Sequence, residues 1–173
     1  LDALCGLFPE DVRVSRDSVG RRALKVWFDQ TLREQFTGTA HVTGNHIIEF
    51  DDPNHARGLV YSRNEHETGD AWVIMTMLYW DAYERIEGSW LFRRRLPLYW
   101  YATDLNAPPI GEQKMRWPDR EAYDGGYPEF FPSWERFWSA DFLADCDVPA
   151  PAARDDFLAR IGPEETDFSV RVR

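Results

Sequence analysis

Met75-Thr76-Met77-Leu78-Tyr79-Trp80-Asp81-Ala82-Tyr83-Glu84-Arg85-Ile86-Glu87-Gly88-Ser89-Trp90-Leu91-Phe92-Arg93-Arg94-Arg95 alternates its side chains in twos on either side of a Glu-Gly step. That is the pattern of two antiparallel strands closed by a tight turn. On the first strand Met75, Met77, Tyr79, Asp81 and Tyr83 share one face, and Thr76, Leu78 and Trp80 share the other. Both faces are largely apolar, so burial on both sides is expected. One face then packs on helices or a partner subunit, and the other lines a pocket with adaptable thioethers. Met75, Met77 and Tyr79 are accordingly candidate substrate-binding residues. Three consecutive arginines cannot all face water from a strand. Arg94 or Arg95 is expected to turn inward, either to pair with a carboxylate such as Asp81 or to hold an anionic substrate oxygen.

Working outward, the same texture runs from about 40 to 101, with strands expected over 40–50, 56–67, 71–85 and 89–101. Asp51-Asp52-Pro53-Asn54 and Thr68-Gly69-Asp70 supply the other turns of an antiparallel meander. These strands exceed ten residues, and strands that long in a small domain curl around something. Upstream, Leu4, Leu7 and Phe8 have helical spacing and Pro9 ends the run. Val12–Val14 reads as a short strand, and Leu24, Trp27, Phe28 and Leu32 mark an amphipathic helix over 21–35. The chain opens in mid-pattern, as though cut within a first helix. The fold class expected is α+β, a curled sheet with helices on its concave side.

After Tyr101 the composition shifts to Pro108-Pro109, Gly111, Pro118, Gly125-Gly126, Pro128 and Pro132, studded with Trp and Tyr. Residues 1–102 are therefore read as the α+β domain and 103–173 as an extension, either a lid or an interface. Short helices are expected around Trp134, Phe137, Trp138 and Phe142, and over 154–161.

Composition excludes several classes of function. Aromatics make up 15% of the 173 residues and hydrophobic residues 43%, which rules out disorder. A formal net charge of -10 argues against nucleic acid as a partner. No apolar run is long enough for a membrane span, and no signal peptide is visible. Cys5 and Cys146, two thiols far apart, suit a reducing cytoplasm. Neither cysteine nor histidine spacing specifies a metal site, so no metal and no cofactor are expected.

Chemistry centres on His41. It opens the first long strand in Thr39-Ala40-His41-Val42-Thr43-Gly44-Asn45, and strict alternation gives it a face with Thr43, Asn45 and Ile47. Val42, His46, Ile48 and Phe50 fall on the other. An imidazole held in an apolar cavity can serve proton transfer. A hydrogen-bonded histidine at a strand end is the alternative. His66, between Glu65 and Glu67, reads on its own as a solvated hairpin residue, and His46 and His55 as surface.

The strand start at 39–45, the Leu78-Tyr79-Trp80-Asp81-Ala82-Tyr83-Glu84-Arg85 strand and the Gly88-Ser89-Trp90-Leu91-Phe92-Arg93-Arg94-Arg95 return together resemble the SnoaL-like branch of the nuclear transport factor 2-like superfamily. That group includes scytalone dehydratase, hexachlorocyclohexane dehydrochlorinase and bile-acid 7α-dehydratase. The resemblance covers about residues 1–102. It implies a cone, a curved mixed sheet with helices closing its mouth. It also implies that His41 resembles the general base of a His–Asp dyad, that His66 reaches the same pocket, and that Arg95 contributes to the site. The dyad aspartate of those relatives belongs to a helix upstream of Leu1, so no residue of this sequence takes that role.

The reading is a bacterial small-molecule lyase or isomerase, cofactor-independent, acting on a hydrophobic cyclic substrate. His41, His66 and Arg95 would be catalytic, and Met75, Met77, Tyr79 and Asn45 would bind substrate. Two rival classes are a non-catalytic hydrophobic-ligand-binding domain and an assembly protein like the β subunits of ring-hydroxylating dioxygenases. A homo-oligomer, dimer or trimer, is expected because exposed sheet and aromatic surface would otherwise meet water.

Overall fold

The computed structural model describes residues 1–126, 128 and 131–141. The helix expected over 154–161, the end of the one expected through Phe142, and Cys146 lie outside the described residues.

Four long strands form the centre: β3 (Gly38–Asp52), β4 (His55–Thr68), β5 (Ala71–Ile86) and β6 (Ser89–Asp104), preceded by β1 (Arg13–Ser15) and β2 (Ser18–Val19). Their order in the sheet is β3-β4-β5-β6 and every pairing is antiparallel. Among the described residues the parallel component of the expected mixed sheet is confined to the isolated bridge Ala102–Met115. The tight turns fall where expected. Glu87 and Gly88, with φ of 50° and 84°, close the β5–β6 hairpin as the two central residues of a turn that needs positive φ at both.

The curl has a visible origin. Pairing of β4 with β5 is uninterrupted from His55–Glu84 to Thr68–Ala71. The outer strands each carry extra residues: β3 between Thr43 and His46 and between Phe50 and Asp52, and β6 opposite Thr76/Met77 and Ala82/Tyr83. Edge strands longer than the middle ones bend the sheet, and bulges are how the extra length is absorbed.

Two cores lie on the concave face. Near the β5–β6 turn, α1 (Asp2–Cys5), β1 and α2 (Arg21–Phe28) bury Cys5, Phe8, Val12, Val14 and Leu24 together, with Phe92 of β6 packed against them. The Phe92 amide donates to the Leu7 carbonyl at 2.8 Å, which ties this unit to the sheet. Toward the other end Val73, Met75, Met77, Ala102 and Met115 form a second cluster. The convex face is covered by a third, Leu59, Leu78, Trp80, Leu96 and Leu98, against which Phe131 packs. Phe131 precedes α3 (Pro132–Trp138).

The helix expected over 21–35 is not a single α-helix. It becomes a π-helical turn over Asp29–Arg33. Thr31 donates its hydroxyl to the Trp27 carbonyl at 2.6 Å, and such back-bonding competes with the regular ladder. The chain leaves this turn at Phe36. The Thr37 amide then bonds to the Glu67 carbonyl at 3.0 Å and starts β3.

Candidate functional site

The bulge in β3 decides which of its side chains reach the concave face. Thr39, His41 and Thr43 lie opposite His66, Asn64 and Ser62, but the next paired residue is His46, opposite Val60. Gly44 and Asn45 are both absorbed by the bulge, so the alternation reverses beyond it. His46, Ile48 and Phe50 therefore share the face of His41, contrary to strict alternation. Asn45 is exposed in the bulge and is not in the row of His41.

Register on the other strands gathers the remaining groups. His66 and Asn64 of β4 lie opposite Val73 and Met75 of β5, whose row continues through Met77, Tyr79, Asp81 and Tyr83. Arg95 of β6 is paired with Asp81. His66 is thus an interior residue, 2 % exposed, and not the solvated hairpin residue that its acidic neighbours suggest. Its ring stacks on Phe36 at 4.2 Å between centroids, and Trp117 lies 6.0 Å away. His41 stands edge-on to it at 5.7 Å. Thr39 Oγ1 is 3.0 Å from His66 Nδ1, while the buried Nε2 meets no hydrogen-bond partner among the described residues.

Electrostatics keep both imidazoles neutral. Burial, with a smaller contribution from His41, pushes the pKa of His66 down to about 4. His41 is reached by solvent, yet the atoms crowding it, and then the charge of Arg95, hold its pKa below the ordinary histidine value.

Beside the histidines runs a polar network. Arg95 donates from Nε and Nη2 to the two oxygens of Asp81 at 2.9 and 2.8 Å, and Asp81 is fully buried. The guanidinium lies 4.4 Å from the centre of the Tyr79 ring and 4.2 Å from that of Phe92. Its Nη1 is not part of the Asp81 fork. Tyr83 donates its hydroxyl to Asp81 at 2.9 Å and lies 3.1 Å from Nε2 of His46. Asn64 donates to the Tyr79 hydroxyl at 3.2 Å and to the Met77 sulfur at 2.8 Å. Desolvation raises the pKa of Tyr79, so its phenol stays protonated.

Of the residues singled out from sequence, His41, His66, Tyr79 and Arg95 are drawn to one face. Met75 and Met77 share that face but are buried in a cluster with Met115. Sequence reasoning missed Phe36 and Trp117, which arrive from distant segments, and His46, which the bulge turns over. Asn64 could have been found by counting two residues back from His66. Among the described residues no group of three or more His, Cys, Asp or Glu could hold a metal ion, and no helix is long and apolar enough to cross a membrane.

The SnoaL-like domain family matches residues 1–96. None of the curated proteins matches the chain. Among solved structures the chain is similar to a candidate scytalone dehydratase from Novosphingobium aromaticivorans, with 25% identity over 69% of this chain and 80% of that one and a TM-score of 0.53. A hexachlorocyclohexane dehydrochlorinase of type 2 gives 20% identity, 64% and 82% coverage and a TM-score of 0.55. A candidate aromatic ring hydroxylase from N. aromaticivorans gives 18%, 60% and 77%, and 0.52. The last two resemblances are of fold alone.

Proposed function

The chain belongs to the SnoaL-like domain family, and on that premise we propose that it is a small-molecule enzyme, a cofactor-independent lyase of dehydratase or isomerase type that acts on a hydrophobic cyclic substrate with His41 as general base. The observation that carries this reading is the meeting of His41 and His66 at 5.7 Å on the face that also presents Arg95. A base must be unprotonated to act, and the lowered pKa of His41 keeps it so at neutral pH. His41 takes a proton from the carbon next to the leaving group. The C–H electron pair forms the new double bond as that group departs, and the imidazolium returns its proton to the departing oxygen. The Nη1 edge of Arg95 faces the charge that develops on oxygen.

A ligand-binding domain without turnover is the second reading. It is favoured by the charge acting on His41, which is that of Arg95 and not of a carboxylate. An imidazolium forming beside a guanidinium is less stable, which weakens the base.

Exchange with solvent separates the two. Cyclic β-hydroxy ketones are incubated with the full chain in D2O and the α-proton signal is followed by NMR. Catalysis predicts exchange or elimination well above buffer, lost by about 10² to 10⁴ in His41→Ala. A folded His41→Ala protein with full turnover removes His41 from the mechanism. Saturable binding of the ketones with no exchange supports the second reading.

A further inference from the structure

Phe36 and Trp117 are not accounted for by proton transfer. Phe36 lies between the π-helical turn and β3, and its ring stacks on His66 with an interplanar angle of 18°. Trp117 lies 6.0 Å from both Phe36 and His66, alongside the edge of the stacked pair. It comes from the segment after β6, beyond the residues matched by the family.

That segment is stitched to the sheet. Ala102 receives a bond from the Arg116 amide at 2.7 Å and gives one to the Lys114 carbonyl at 3.1 Å, and Met115 exchanges bonds with Tyr123 at 2.9 and 3.1 Å. At Gly125 the chain passes so close to β6 that a Cβ would come within 2.0 Å of the Trp100 carbonyl oxygen. Met115, 1 % exposed, is core. Trp117 and Phe36 are each only half-buried, and both lie against His66, which also meets solvent-reached His41. Trp117 packs on the Met115 cluster with part of its surface and is left incompletely covered.

We propose that Phe36 and Trp117 form the specificity wall of the His41–His66 site, selecting a flat, uncharged ring that carries an oxygen within reach of the buried His66 Nε2. This deepens the enzymatic reading and rests on it for the location of the site. Flat aromatic surfaces select flat partners, because offset and edge-on contacts of π-systems are lost when a ring puckers. Where the Thr39 hydroxyl donates to Nδ1, the ring proton resides on Nε2, which then donates to a carbonyl or phenolic oxygen.

The test uses two unreactive probes with the same carbon skeleton, 2-naphthol and its saturated counterpart 2-decalol. The full chain is titrated while the His66 and Trp117 ring protons are followed by NMR. The expected result is that 2-naphthol binds about 3- to 10-fold more tightly than 2-decalol, the worth of one aromatic pair, and displaces both sets of resonances. Trp117→Phe keeps this preference. Trp117→Leu, which keeps apolar bulk but no flat face, brings the ratio close to one while 2-decalol affinity stays within about twofold, an order set by the same pair energy. An unchanged ratio in Trp117→Leu, equal loss of both probes, or unmoved His66 and Trp117 signals overturns the proposal. Because neither probe turns over, a chain that shows the preference but exchanges no proton loses only the catalytic reading. One that catalyses without the preference loses only this one.

Discussion

The imidazole of His41 meets that of His66 edge-on, with ring planes at 88°. Two histidines so close cannot both be charged cheaply, and the buried one yields. His66 has its pKa at about 4, below the ordinary 6.5, and a depressed histidine pKa means that the unfolded chain binds more protons than the folded one between those values. Stability therefore rises with pH across that window. It is fully present above 6.5 and is lost as pH falls toward 4. Denaturant titrations from pH 7 to 4 are expected to show a loss on the order of 3 kcal/mol attributable to this group, and His66→Gln flattens the slope. A wild-type slope retained in that variant rules out His66 as its source.

Burial lowers the His66 pKa more than His41 does. NMR titration of its ring is expected to move upward in both Phe36→Ala and His41→Ala, and further in the first, because Phe36 covers the ring whereas His41 only adds a neighbouring charge. The reverse order would mean that charge outweighs desolvation at this ring.

Asp81 has no exposure of its own and is held by Arg95 and Tyr83. Asp81→Ala leaves a guanidinium without its partner, and unfolding in urea is expected to show a loss of about 3 to 5 kcal/mol. The double variant Asp81→Leu with Arg95→Met recovers most of it, since an apolar pair of similar volume owes no desolvation. A double variant as unstable as the single one would show that the pair contributes more than it costs to bury.

Gly58 lies opposite Asp81, and a Cβ there would come within 2.6 Å of the Tyr83 ring. Gly58→Ala has to displace that ring and with it the Tyr83–Asp81 and Tyr83–His46 contacts. The expected destabilisation is about 1 to 3 kcal/mol by thermal or urea denaturation. Paired with Tyr83→Ser the same change is expected to cost much less, which a double-mutant cycle reads directly.

Much of this fold is legible in the sequence. The four strands announce themselves by period-two patterning and by turns rich in Gly, Asp, Pro and Asn. An inward arginine, Arg94 or Arg95, follows from the impossibility of exposing three adjacent ones, with Arg95 singled out by the family resemblance. His66 is less legible, because Glu65 and Glu67 speak for solvent, and only its register opposite Val73 and the arrival of Phe36 make it interior. Its place in the site came from the family resemblance. Phe36 and Trp117 leave no local trace, since their meeting depends on a π-helical turn and on a segment folding back along β6. A glycine within a strand, such as Gly44, is a known mark of a bulge, yet the two-residue alternation around it reads equally well without one.

That bulge makes chain length, and not only side-chain identity, a determinant of how the concave face is curved. Removal of one residue at Gly44–Asn45 would abolish the bulge and restore regular alternation, with Thr43 still opposite Ser62 and His46 still opposite Val60. His46, Ile48 and Phe50 would keep their inner positions, and Ile47 and Glu49 their outer ones. A single in-frame codon loss there would thus relax the bend of the strand while leaving the same side chains beside the base, so the shape of the wall can change without its composition.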